Sequence, residues 1–273
     1  MTPQSRKVSV GGVETHYLEA GEGEPLVLIH GGGAGADAKG NWEGCIAAYA
    51  KQFHVFAVDM VGFGHSSRPD PNTYSYGQTN RNAHMIAFVE TVVGGPANII
   101  GNSMGGAIAL SVAAARPDAV RRIVLMGSMG TAMALPPGLD AVWGYTPGME
   151  QMRQVFGLFA YNRELITDEL VEMRYQASLD PPVRDSWAAM FPAPRQRWVD
   201  DLALPGAELA AITAPVLLVH GRDDRVVPWR DSSARLIDLL PDSRLHVLSG
   251  CGHWTMIEKT AEFLAVVEPF LAG

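Results

Sequence analysis

The chain has 273 residues, a length that suits one large α/β domain or one domain carrying an insertion. Apolar residues make up 47% of it, enough for a sizeable core, and its net charge of −8 argues against nucleic-acid binding, which needs a basic stripe to neutralise phosphates. The opening MTPQSRKVSV lacks an apolar export segment, no run approaches the roughly 20 apolar residues of a membrane span, and Cys45 and Cys251 have neither disulfide nor metal-ligand spacing, so a reducing cytoplasm is expected.

In chain order, Leu26–His30 is a continuous apolar run that ends at the glycine cluster Gly31-Gly32-Gly33. Val55–Asp59 is a second run, followed by Val61-Gly62-Phe63-Gly64; Ala97–Gly101 and Ile123–Gly127 are a third and a fourth. Short runs without polar alternation predict strands buried on both faces, hence a mostly parallel sheet flanked by helices. Between the last two lies Gly105–Ala115, a buried helix by composition, stopped at Arg116-Pro117. From about Thr131 to Leu204 the alternation breaks. Prolines 136, 137, 147, 181, 182, 192 and 194 punctuate helical stretches, which reads as an inserted helical cap over 131–204 between core segments 1–130 and 205–273. Strand-like runs return at Val216–His220 and Leu245–Leu248. Ligands in such sheets bind at the carboxyl ends of the strands, where every glycine-rich turn singled out here falls.

Gly101-Asn102-Ser103-Met104-Gly105 fits G-x-S-x-G, with a strand before it and a helix after it. A serine held on so sharp a turn needs glycines two before and two after, where side chains would collide. The following helix places positive potential under a developing oxyanion. A serine hydroxyl also needs a base. Of eight histidines, His253 has the best setting, in Gly250-Cys251-Gly252-His253-Trp254 after the last strand run. The orienting acid precedes the histidine in chain order. Gly221-Arg222-Asp223-Asp224-Arg225-Val226-Val227-Pro228 offers two, and Asp224 fits the centre of that loop. Asp223 reads as a solvated turn residue, and His30, His65, His84 and His220 as structural or loop residues. Gly32, with Gly33 as its alternative, supplies a backbone N–H unobstructed by a Cβ; with the Met104 amide it would form an oxyanion hole. No G-x-x-x-x-G-K-S/T, G-x-G-x-x-G or H-E-x-x-H motif is present, so no cofactor or metal is expected.

Thr167 can cap a helix whose first turn holds Asp168 and Glu169. On that helix Arg174 shares a face with Leu170 and Ala177. An arginine beside an apolar face needs an anionic partner: a substrate carboxylate or an internal acid.

The combination of His30–Gly35 with Asn41-Trp42, Val58–Gly64, Gly101–Gly106, Gly221–Pro228 and Cys251–Trp254 resembles the meta-cleavage product hydrolases, carbon–carbon bond hydrolases of the α/β-hydrolase superfamily. Phe159–Asn162, Leu165–Leu170, Arg174-Tyr175 and Met190–Trp198 extend the likeness over nearly the whole chain. The resemblance implies an α/β-hydrolase fold with a helical cap. It also implies a 2-hydroxy-6-oxohexa-2,4-dienoate substrate from ring cleavage of catechols, with 2-hydroxypenta-2,4-dienoate and a carboxylic acid as products. Phe191–Trp198 is similar to the 2-hydroxymuconate semialdehyde hydrolases, whereas the Gly31–Gly35 loop with Asn41-Trp42 is similar to members acting on bulkier aryl substrates, so the subfamily stays open. The resemblance assigns Arg174, Asn41 and Asn102 to the polar end of the dienoate, and Phe159 and Trp254 to the pocket wall. The expected partner is this small molecule, with no nucleic acid and no membrane; a homo-oligomer is compatible with the sequence. Two rivals share the triad: a carboxylesterase, which makes no demand on Arg174, and a low-turnover ligand receptor on the same scaffold.

Overall fold

The computed structural model describes residues 2–273. Among them, eight strands form one sheet: β1 (Gln4–Val10), β2 (Val13–Ala20), β3 (Glu24–Ile29), β4 (Phe53–Val58), β5 (Ala97–Asn102), β6 (Val120–Met126), β7 (Val216–Gly221) and β8 (Ser243–Leu248). Their spatial order is β1-β2-β4-β3-β5-β6-β7-β8. From β4 to β8 all neighbours are parallel; β1 and β2 add an antiparallel edge.

The buried runs of the sequence are the central strands, and adjacent residues feed opposite cores. Val27, Ile29, Ile99, Ile123 and Leu125 pack on one face, while Leu26, Leu28, Ile100, Val124 and Met126 pack on the other. Both faces are therefore covered by helices, as a parallel sheet requires. In chain order the flanking helices begin with α1 (Ala38–Tyr49), α2 (Gln78–Phe88) and α3 (Met104–Ala115). Between β6 and β7 come α4 (Pro137–Trp143), α5 (Met149–Phe159), α6 (Asp168–Leu179), α7 (Pro181–Met190), α8 (Gln196–Leu202) and α9 (Gly206–Ala210), with no strand. The last are α10 (Ser233–Leu239), α11 (Thr255–Glu258) and α12 (Thr260–Ala272). Trp42 and Ile46 of α1, Met256 of α11 and Phe263 of α12 fill one core; Met85 and Phe88 of α2, Ile108 of α3 and Leu236 of α10 fill the other.

Two distant points between β6 and β7 meet: the Leu204 N–H donates to the Gly130 carbonyl at 3.0 Å. Between those two residues lie α4 to α8, each buried against its neighbours by residues such as Trp143, Phe156, Val171, Trp187 and Val199.

The antiparallel strands β1 and β2 were not anticipated from the sequence. β1 is mostly exposed, and its polar residues gave no apolar run. The hairpin turn Gly11-Gly12 has φ of 57° and 81°, a left-handed pair that glycine adopts freely and that matches the strand twist.

The order of strands reverses at β3, which pairs with β4 on one side and β5 on the other. A crevice opens at such a reversal, between the loops leaving the two strands. Here those loops carry Gly31–Gly33 and Ser103.

One buried histidine has a consequence for stability. His84 on α2 accepts from the Val61 N–H at Nδ1 and lies 2.8 Å from the Thr15 hydroxyl at Nε2. Burial lowers it to about 4. Between pH ~6.5 and that value the unfolded chain binds a proton that the folded chain refuses, so stability is lost as pH falls through this window. The contribution is about 3 kcal/mol at the acid end. Thermal unfolding between pH 7 and 4 should show wild type losing stability faster than His84→Gln; parallel curves would contradict this.

Candidate active site

Ser103 sits between β5 and α3 with φ 55°, ψ −116°, and among the described residues it is the sole non-glycine with positive φ. Such backbone costs on the order of 1–3 kcal/mol and persists only where the surroundings enforce it. The enforcement is visible in its glycines. A Cβ on Gly101 would fall 2.4 Å from the Gly105 carbonyl oxygen, and one on Gly105 would fall 2.4 Å from the Ile29 carbonyl oxygen. The Ser103 amide and carbonyl are tied to Met126 O and to the Gly106 and Met129 N–H groups. The turn is thus clamped between β3 and β6.

His253 lies on the loop after β8, and its N–H donates to Phe159 O at 2.7 Å. Its Nδ1 is 2.7 Å from Asp224 Oδ2, and both side chains are almost wholly buried. Asp224 Oδ1 accepts from the Val226 and Val227 N–H groups at 2.8 and 2.9 Å. Burial alone would raise this carboxyl, but the charge of His253 and the hydrogen bonds from His220 and His253 outweigh it. Asp224 is therefore held well below the usual carboxylate range and is ionised throughout neutral pH. Gly127 is a glycine for room: a Cβ there would come within 3.0 Å of His253 Nδ1 and 3.3 Å of Asp224 Oδ2.

Met104 opens α3, where an N–H has no carbonyl one turn back to bind. Gly32 packs directly against it: a Cβ on Gly32 would lie 3.0 Å from Met104 Sδ. A Cβ on Gly31 would lie 3.2 Å from Ser103 Cβ. The glycine loop after β3 therefore presses its backbone against the serine turn, and Gly33 faces the Phe159 ring instead.

Ser103, His253, Gly32, Gly33, Asn41, Asn102, Phe159, Arg174 and Trp254 all line one cavity of about 40 Å³. Met104 and Asp224 stand just behind it. Phe159 stacks on Trp254 at 4.9 Å and on His253 at 5.6 Å, forming one aromatic wall. Of the cavity's polar groups, Asn41 Nδ2 donates to Asn102 Oδ1 at 3.2 Å, and Asn102 Nδ2 donates to Met126 O at 3.0 Å. Arg174 comes from α6, capped by Thr167 as expected, where the side chain accepts from the Leu170 N–H at 3.2 Å. It is partly buried and donates to the Gly35 carbonyl. Burial lowers its guanidinium, opposed by the charge of Asp37. Asp37 caps α1, its Oδ1 accepting from the Gly40 N–H. Arg174 also lines the cavity.

Comparison with known proteins gives the family. The alpha/beta hydrolase fold family model matches residues 24–260. The 2-hydroxymuconate semialdehyde hydrolase of Pseudomonas sp. strain CF600 is 44% identical over 270 residues, 98% of this chain and 93% of that protein. The 2-hydroxy-6-oxo-2,4-heptadienoate hydrolase of Pseudomonas putida F1 is 45% identical over 268 residues, 98% and 96% of the two chains. The meta-cleavage product hydrolase of Pseudomonas fluorescens IP01, solved with acetates, superposes with a TM-score of 0.95 at 43% identity, covering 98% of this chain and 97% of its own. The chain belongs to the meta-cleavage product hydrolases.

Two sets of groups around the hydrolase site were not singled out from the sequence, and two residues weighed there do more than expected. Leu139 and Val142 of α4, Phe156 of α5 and Val226 supply its apolar lining. Glu258 joins the His253 loop to the chain after α5: Oε1 accepts from Gly252 N–H at 2.8 Å, and Oε2 from Tyr161 and Asn162 N–H at 2.7 and 2.8 Å. Asp223 is more than a solvated turn, since its Oδ2 accepts from the Gly250 N–H at 3.0 Å. His220 is structural as expected, yet it also touches Asp224. Among the described residues no cluster of His, Cys, Asp and Glu could hold a metal, and no helix is long and apolar enough to cross a membrane.

Proposed function

We propose that this hydrolase cleaves a carbon–carbon bond in 2-hydroxy-6-oxohexa-2,4-dienoates, with Ser103 as nucleophile, His253 as base and Asp224 as orienting acid. The observation that carries the reading is one shared cavity, lined by Ser103 and His253 and also by Arg174, Asn41 and Asn102. A plain ester needs only the serine and the histidine. A substrate that joins a carboxylate to its reacting carbonyl uses the polar groups as well. The relatives' names carry the same substrate class.

The dienoate carboxylate binds at Arg174, Asn102 and Asn41. Cleavage of a C–C bond requires a leaving carbanion whose charge delocalises, so the conjugated system is first ketonised, with His253 moving the proton. Ser103 then attacks the C6 carbonyl while His253 takes its proton. The oxyanion is held by the Gly32 and Met104 amides, a contribution of about 2.7–4 kcal/mol for one such donor elsewhere. The C–C bond breaks to release a stabilised dienolate, and water activated by His253 clears the acyl group from Ser103. Nothing in these steps calls on a cofactor.

Residues 131–204 serve as the cap. Their ends meet at the Gly130–Leu204 bond, and they supply Phe159, Arg174 and the α4 side chains to the cavity. The cavity volume suits a water or two rather than a dienoate, so substrate entry involves movement of these walls.

The test compares dienoate consumption with p-nitrophenyl ester hydrolysis. Arg174→Ala is expected to lower kcat/KM for the dienoate about 30–150-fold, the loss of a hydrogen-bonded charge, while sparing the ester. Equal loss on both substrates would make Arg174 a packing residue, and no loss on either would remove the carboxylate from Arg174.

A further inference from the structure

β7 closes with His220 and Gly221, after which the chain turns through Asp224 and Val227. His220 is fully buried. Its Nδ1 lies 2.7 Å from Ser233 Oγ, at the start of α10. Its Nε2 lies 2.8 Å from the Val227 carbonyl oxygen and 3.1 Å from Asp224 Oδ2. Both neighbours of Nε2 are oxygens that only accept, so Nε2 carries the proton and donates to both. Nδ1 keeps its lone pair and accepts from the Ser233 hydroxyl. One neutral tautomer satisfies every partner.

Asp224 therefore receives four hydrogen bonds, two backbone N–H groups at Oδ1 and two imidazoles at Oδ2. Val227 is held by both its backbone groups, its N–H on Asp224 and its carbonyl on His220. We propose that His220 is a positioning residue for the triad, donating from Nε2 to the same carboxylate oxygen that binds His253, and so fixing both the place of Asp224 and the strength with which it holds an imidazolium. This deepens the function proposed above and rests on it.

Two effects follow. Without His220 the turn from Arg222 to Val227 loses one anchor to β7 and the carboxylate is aligned less firmly for catalysis, while the Val226 and Val227 N–H groups keep it within reach of His253. The charge on Oδ2 is also no longer shared with a second donor, so it stabilises protonated His253 more strongly and the base releases its proton less readily. The other groups facing this cluster do not supply a substitute. Ser233 of α10 offers a hydroxyl, and Gly127, just after β6, has no side chain. Cys251 is raised by burial to about 12 and stays neutral. Glu258 of α11 is spent on backbone N–H groups.

The experiment uses His220→Phe, which removes the donor, and His220→Gln, whose amide nitrogen can occupy the place of Nε2. For His220→Phe, kcat for the dienoate should fall about 10–100-fold with KM changed less than about threefold, and the acid limb of kcat/KM should move to higher pH. His220→Gln should recover most of kcat and return the acid limb. The same upward movement should appear in a ¹⁵N-NMR titration of His253 performed in the Ser103→Ala background, where no turnover is needed. Wild-type kcat and pH profile in His220→Phe would overturn the proposal. So would equal impairment of both variants with an unchanged His253 titration, which marks packing alone. If His220→Phe does not fold, the Gln variant and its His253 titration decide. Should Ser103→Ala still turn over the dienoate, the nucleophile assignment fails, while the titration still reports on the His220–Asp224–His253 contact separately.

Discussion

Ser103→Ala hydrolase is expected to bind the dienoate and to release product 10³–10⁶-fold more slowly than wild type, on the order seen when a triad nucleophile is removed. The binding groups are independent of that hydroxyl. Arg174 comes from α6, and the Asn41–Asn102 pair is held by its own hydrogen bonds and by Met126 O. Alanine also keeps the backbone of the turn clamped by Gly101, Gly105 and the Met126 carbonyl. The loss should therefore fall on kcat, with dienoate affinity kept within about tenfold. Single-turnover absorbance at the dienoate maximum separates the two. A variant that turned over at the wild-type rate would remove Ser103 from the chemistry.

Asp224→Asn should cost about 10³–10⁴-fold in kcat, for a reason read from its four donors. Oδ1 faces two backbone N–H groups, so the asparagine must put its carbonyl oxygen there. Its NH₂ group then falls at the Oδ2 position, against Nδ1 of His253 and Nε2 of His220. Donor meets donor on both sides. His253 escapes by moving its proton to Nε2, the nitrogen that must be free to accept from Ser103. The variant folds with its geometry nearly intact but holds the wrong tautomer. Steady-state kinetics on the dienoate and the ester should fall together, since both need the base. A loss below about tenfold would mean that another group orients His253.

The central parallel strands β3 to β7 were legible because each is largely buried on both sides and so appears as an apolar run, and half-exposed β8 showed only the short run Leu245–Leu248. The antiparallel strands β1 and β2 were not, because β1 is exposed and polar; Gly11-Gly12 was the available signal. Ser103 was legible through glycines that the structure shows to be sterically required. Asp224 and His253 were legible through their position after strands, and they meet as the sequence order implies. What the sequence hides is contact between distant segments. Nothing in it tells that Arg174 donates to Gly35, that Asn41 donates to Asn102, or that Glu258 ties the His253 loop to Tyr161. His220 is hidden for a different reason. It ends a strand while Asp224, four residues on, lies in the turn beyond it, so no single periodic element links the two and only the turn brings them together.

The most direct test of carbon–carbon bond hydrolysis is product analysis of a 2-hydroxy-6-oxohexa-2,4-dienoate incubated with the enzyme in H₂¹⁸O. Equimolar 2-hydroxypenta-2,4-dienoate and a carboxylic acid, with labelled oxygen in the new carboxyl group and neither product formed by Ser103→Ala, is the predicted result. Intact dienoate under conditions where the same preparation hydrolyses a p-nitrophenyl ester would contradict it.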